Sequence, residues 1–70
     1  MKEKIINRVH ALRMEKRITQ EELADHVGVS RQTIISIEKG NYVPSVLLAL
    51  KISAFFQLPA EEVFTVHYGK

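Results

Sequence analysis

The 70-residue sequence predicts an all-α protein, five short helices in one compact domain. Three observations lead there. Apolar residues recur at helical spacing along most of the chain rather than alternating. Thr19, Ser30 and Ser45 each stand just before such a run, where a side-chain oxygen accepts from the N–H groups that a helix start leaves unpaired. Gly28 and Gly40 stand just after two of the runs, and Pro44 and Pro59 fall in the gaps between them.

Taken in order, Ile5, Val9 and Leu12 fall at i, i+4 and i+7, with Ile6 widening the stripe, so residues 3–16 are expected to form an amphipathic first helix. Thr19 and Glu22, three residues apart, make a capping box for a second helix over residues 20–27 that buries Leu23, Ala24 and Val27. Gly28 stands where a left-handed residue is wanted, a conformation glycine adopts without steric cost. Ser30 opens a third helix at about residues 31–39, with Ile34 and Ile37 inward and Gly40 ending it. Residues 41–44 read as a loop, because Pro44 disfavours helix at the residue before it. Ser45 caps a fourth helix that turns Leu48, Ile52 and either Phe55 or Phe56 inward. Gln57-Leu-Pro59 breaks it, and residues 60–64 suffice for one short final helix. Residues 1–64 thus form the domain. Residues 65–70 favour extended backbone and are either a frayed tail or a strand that pairs with its twin across a dimer axis.

Composition narrows the chemistry. The chain has no cysteine, so packing must supply the stability that disulfides or a thiolate zinc site would otherwise provide. His10, His26 and His67 are not spaced as a ligand set, and no nucleophile has a partnered base, so neither a metal, a cofactor nor an enzymatic activity is expected. No apolar run reaches the roughly 20 residues that span a bilayer, and nothing resembles a signal peptide, so a cytoplasmic protein with no membrane partner is expected. The net charge of +2 is modest but uneven. Residues 1–17 hold Lys2, Lys4, Arg8, Arg13, Lys16 and Arg17 against Glu3 and Glu15, whereas residues 19–45 hold Arg31 and Lys39 against Glu21, Glu22, Asp25 and Glu38. Contact with a polyanion would therefore depend on a few well-placed donors, with a basic first helix adding field.

Residues 19–40 read as two short helices joined by a tight turn at Gly28, a unit that can set one helix into the major groove of DNA. Ala24 belongs where the two helices touch, and Val27 and Ile37 lock them together. With Leu12-Arg13, Thr19-Gln-Glu-Glu-Leu-Ala24, Val27-Gly-Val-Ser30, Ile37-Glu38, Gly40, Pro44-Ser45 and Leu48-Ala-Leu-Lys-Ile52, residues 8–64 resemble the Cro/C1-type (XRE-like) helix-turn-helix regulators of bacteria, archaea and phages. The resemblance implies a five-helix bundle of the lambda-repressor-like type that binds double-stranded DNA, usually as a homodimer on a palindromic operator.

It also implies roles. Arg31, Gln32, Thr33 and Ser36 match the base-facing positions of the recognition helix, where arginine suits guanine and glutamine suits adenine. Thr19, Gln20, Ser30, Lys39, Asn41 and Tyr42 match positions near phosphates. Arg13 and Glu38 match an ion pair between helices one and three. Four positions depart from the family pattern: Arg17 where glycine or asparagine commonly ends helix one, Ile35 on the recognition helix, Leu47 where an acid is common, and Phe55 where a smaller residue is common. Leu47, Phe55, Val66 and Tyr68 make a candidate dimer surface, extra core packing being the alternative for Phe55. The leading expectation is a dimeric repressor. The alternative is an antitoxin that regulates its own promoter and folds an extended segment onto a toxin partner.

Overall fold

The computed structural model describes residues 2–69. The chain runs β1 (Glu3–Asn7), α1 (Val9–Lys16), α2 (Gln20–Val27), α3 (Arg31–Glu38), α4 (Val46–Phe55), α5 (Ala60–Val63) and β2 (Phe64–Tyr68). Among the described residues five helices are present as expected, but the fold is not purely α: β1 and β2 form a two-stranded antiparallel sheet, with Ile5 opposite Val66 and Asn7 opposite Phe64.

Both ends of the chain depart from expectation for one reason. Residues 3–7 are a strand, and the first helix begins only at Val9. Asn7 makes the break: its Oδ1 accepts from the Val9 N–H at 3.1 Å and its Nδ2 donates to the Ile37 carbonyl at 3.0 Å. An asparagine that bonds the backbone two residues on competes with helix at that point. Most of the tail is an ordered strand whose partner here lies in its own chain. Residues 64–68 pair with β1 of their own chain, and Phe64 belongs to β2 rather than to the last helix. Lys70, the end of the expected tail, lies outside the described residues.

The core gathers Val9 and Leu12 of α1, Leu23, Ala24 and Val27 of α2, Ile34 and Ile37 of α3, Leu48, Ile52 and Phe56 of α4, and Val63 of α5. Of the two phenylalanines at the end of α4, Phe56 is the buried one. Phe55 is half-buried, its ring 4.9 Å from that of His26 and 5.1 Å from that of Phe56, with the Lys16 ammonium 5.7 Å away. Its packing is within its own chain, the alternative the sequence left open.

Helix ends repeat one device. After α1, α3 and α4 a left-handed residue (Arg17, Gly40, Gln57) lets the next N–H reach back to a carbonyl in the last turn: Ile18 to Arg13, Asn41 to Ser36, Leu58 to Ser53. Gly40 adopts that conformation without cost, whereas Arg17 at φ 57° and Gln57 at φ 59° hold it against the crowding of a Cβ. After α2, Gly28 at φ 78° makes the turn into α3, with the ammonium of Lys51 3.4 Å from where a Cβ would stand.

Candidate nucleic-acid interface

The interface rests on a buried ion pair. Arg13 Nε donates to Glu38 Oε2 at 2.8 Å and Arg13 Nη2 to Glu38 Oε1 at 3.1 Å, so α1 grips the last residue of α3 with a forked, bidentate contact. Both side chains are more than nine-tenths buried. Arg13 Nη1 also donates to the Ile18 carbonyl at 3.0 Å, tying the α1–α2 turn into the same cluster. His10 Nδ1 lies 3.3 Å from Glu38 Oε1 and 3.0 Å from Arg13 Nη2 at the exposed rim. Burial by itself would raise the Glu38 carboxyl, but hydrogen bonds from Arg13, Gln20 and His10, with the Arg13 charge beside it, hold it below the ordinary carboxylate range. The hydrogen bond to Glu38 raises Arg13 against the opposing effect of burial.

Gln20 joins this cluster in a way that its sequence position does not announce. Its Nε2 donates to Glu38 Oε1 at 3.1 Å, so the first residue of α2 is hydrogen-bonded to the last residue of α3. Thr19 closes the expected capping box: its hydroxyl accepts from the Glu22 N–H at 3.0 Å, and its own N–H donates to Glu22 Oε1 at 2.7 Å. Ser30 caps α3 by accepting from the Thr33 N–H at 3.2 Å, and the Ser30 and Thr33 hydroxyls bond each other at 3.0 Å.

These contacts shape two adjoining hollows. One is bounded by Arg17, Thr19, Gln20, Glu21 and Arg31, where the end of α1, the start of α2 and the start of α3 converge. The other follows α3 along Ser30, Gln32, Thr33 and Ser36 to Tyr42. Arg31 and Gln32 are exposed, and Thr33, Ser36 and Ile35 are half-buried. Lys39, Asn41 and Tyr42 stand exposed after α3. The structure thus brings Gln20 and Arg31 to one cleft, with Arg13 and Glu38 as its frame.

Two residues enter this region that sequence reasoning had not placed there. Arg17 lines the cleft with Arg31, although the sequence marked it only as one of the first-helix cations and as a departure at a helix end; its signal was a cation two residues before a helix cap. His10 joins the buried pair, and its spacing from Arg13 on α1 was the available clue. Leu47, Val66 and Tyr68 of the candidate dimer surface are exposed, whereas Phe55 is occupied by packing with His26 and Phe56.

A capped helix, a left-handed turn and a second capped helix whose polar first turn faces outward define a helix-turn-helix DNA-binding domain. The chain belongs to that family, since the family model described as Helix-turn-helix matches residues 9–63, and it is of the Cro/C1 type. It is similar to the HTH-type transcriptional regulator YgzD of Bacillus subtilis, 53% identical over 83% of this chain and 88% of that one. It is also similar to the HTH-type transcriptional regulator MJ0272 of Methanocaldococcus jannaschii, 52% identical with the same coverage. Among solved structures it is similar to the restriction-modification controller protein C.AhdI of Aeromonas hydrophila. That match has a TM-score of 0.73 and 29% identity, over 79% of this chain and 83% of that one. The protein is a DNA-binding transcriptional regulator.

Proposed function

We propose that the protein is a repressor that binds a palindromic operator as a homodimer. The observation that carries this reading is the placement of Gln20 and Arg31 in one cleft, both framed by the Arg13–Glu38 pair. One N–H of the Gln20 amide is engaged by Glu38, which fixes the side chain and leaves its second N–H for a phosphate oxygen beside the start of α2. Arg31 and Gln32, on the exposed first turn of α3, then read base edges in the major groove, each pairing supplying about 1–3 kcal/mol of discrimination. Thr33 and Ser36 are shorter and reach bases only where α3 lies deepest. Thr19, Ser30, Lys39, Asn41 and Tyr42 flank the helix and set its register on the phosphates.

Repression is supported by similarity to the cryptic phage CTXphi transcriptional repressor RstR of Vibrio cholerae, 32% identical over 81% of this chain and 51% of that one. A small reading head with a net charge of +2 gains little from non-specific attraction, so two copies about 34–36 Å apart are needed for tight binding. The extended segment expected of an antitoxin is instead β2, paired with β1 of its own chain, so no observation favours that reading.

Selection of random duplex DNA against the purified protein tests the proposal, followed by binding of Arg31→Ala and Gln20→Ala at several salt concentrations. The expected outcome is a palindrome, relaxed at one position per half-site by Arg31→Ala and weakened for all sequences alike by Gln20→Ala. Enrichment of no sequence, with binding lost at moderate salt, would overturn it.

A further inference from the structure

α4 is apolar on two sides. Leu48, Ile52 and Phe56 fill the core. Val46, Leu47 and Leu50 stand 76%, 68% and 53% exposed, with Val43 of the preceding loop at 60%. At about 100° per residue, Val46, Leu50, Ala54 and Leu47 fall in one sector opposite the core-facing side chains. No charged residue lies in that sector, and Lys51 borders it. Folding a single chain requires only one apolar face on such a helix. The four large side chains expose on the order of 400 Å² together, the size at which a patch on a small domain marks an interaction surface.

We propose that this face of α4, with Val43, is where a second copy of this chain docks about a two-fold axis. The inference rests on the homodimeric reading above and names its surface. The patch is uncharged, so a nucleic acid or a charged peptide gains nothing from it, whereas two copies of net charge +2 meet there without opposing like charges. A two-fold contact lets the same four side chains serve both partners. Two such patches with their rims bury about 1,000 Å², which is what a specific pair requires.

The location suits the function. Leu47 shares one hollow with Tyr42 and with Thr33 of α3, so the contact is adjacent to the reading helix in each copy. The domain measures 36 × 23 × 21 Å, so a side-by-side pair is large enough to span one DNA turn, ~34 Å.

Leu50→Glu tests the surface, read by sedimentation of the protein alone and by binding to the selected palindrome and to its half-site. Expected are a dimeric parent, a monomeric variant with unchanged helical circular dichroism, and about a hundredfold loss on the palindrome with none on the half-site. A variant that folds and remains dimeric overturns the proposal while leaving the homodimer standing. A parent that is monomeric both alone and on DNA overturns both. If Leu50→Glu fails to fold, Val43→Cys, Val46→Cys, Leu47→Cys and Leu50→Cys, made singly, decide: the chain has no cysteine of its own, so if the two α4 faces meet, oxidation yields a covalent dimer at the position nearest the axis, and if they do not, at none.

Discussion

The start of α3 and the outer face of α4 are both exposed, yet they are built on opposite principles. Around α3, polar groups are tied together. Arg13, Glu38 and Gln20 form one hydrogen-bonded cluster, Ser30 and Thr33 bond each other, and the donors of Arg31 and Gln32 point outward from this tied frame. In the outer sector of α4, Val46, Leu47, Leu50 and Ala54 have no polar side-chain groups to satisfy. The first surface gains from direction, since its donors are useful only at fixed positions. The second gains from area, which has no direction. On the reading proposed above, holding one helix at a set depth in a groove and holding two copies at a set spacing are tasks assigned to separate surfaces.

The sharpest way to break that contrast is to remove the frame of the polar region. Arg13→Ala strands the Glu38 carboxylate among buried groups and cuts the tie between α1 and α3. A loss of about 3–5 kcal/mol is expected, close to the whole stability of so small a domain. Urea unfolding monitored by circular dichroism measures it. A loss below about 1 kcal/mol would show that the pair only decorates the interface.

Acid tests the same frame with a smaller effect. Glu38 is faced by Arg13, Gln20 and His10, and its carboxyl is held below its ordinary range. Its contribution to stability is therefore complete above the unfolded carboxyl value and is lost as the pH falls through the lowered native one. The parent should lose stability below about pH 5 more steeply than Glu38→Gln does, because the amide has no proton to take up. Parallel curves from thermal melts across that range would mean that another carboxyl dominates. The α4 face has no such group, so its docking should be indifferent to this range except through unfolding.

The two regions also differ in how much of them the sequence discloses. Capping at Thr19, Ser30 and Ser45 and the turn at Gly28 are decided within a few residues, so the helix-turn-helix was readable locally. The Arg13–Glu38 pair was accessible only through the family resemblance, and the Gln20–Glu38 bond not at all, because it depends on how α2 and α3 cross. The extended preference of the C-terminal residues agrees with β2, but at the N-terminal end the local signal pointed the wrong way. Ile5, Val9 and Leu12 keep helical spacing, and Val9 and Leu12 are indeed buried on α1. Ile5 instead sits opposite Val66, a partner 61 positions away, so no window of the sequence contains the pairing that makes it a strand. On α4 the exposed departure Leu47 is visible as a patch, but Phe55 stays open between the patch and core packing, because nothing local shows His26 stacking beside it.

The finest test uses a feature the two regions share. Arg17 and Gln57 hold the same left-handed position after α1 and after α4, at φ 57° and 59°. Replacing either with glycine relieves backbone crowding, offset in part by the freedom that glycine gives the unfolded chain, for a net gain of about 0.5 kcal/mol. In a domain of this size that is an increase of roughly 2–4 °C in Tm, readable by calorimetry. The sites then diverge. Gln57→Gly, at the end of α4, should leave DNA binding as it was. Arg17→Gly removes a cation from the cleft that holds Gln20 and Arg31, so it should stabilise the fold while weakening all duplexes alike and lowering the salt slope by about one. If the two variants gain stability equally and bind DNA equally, Arg17 has no part in the interface, and the cleft ends at the start of α2.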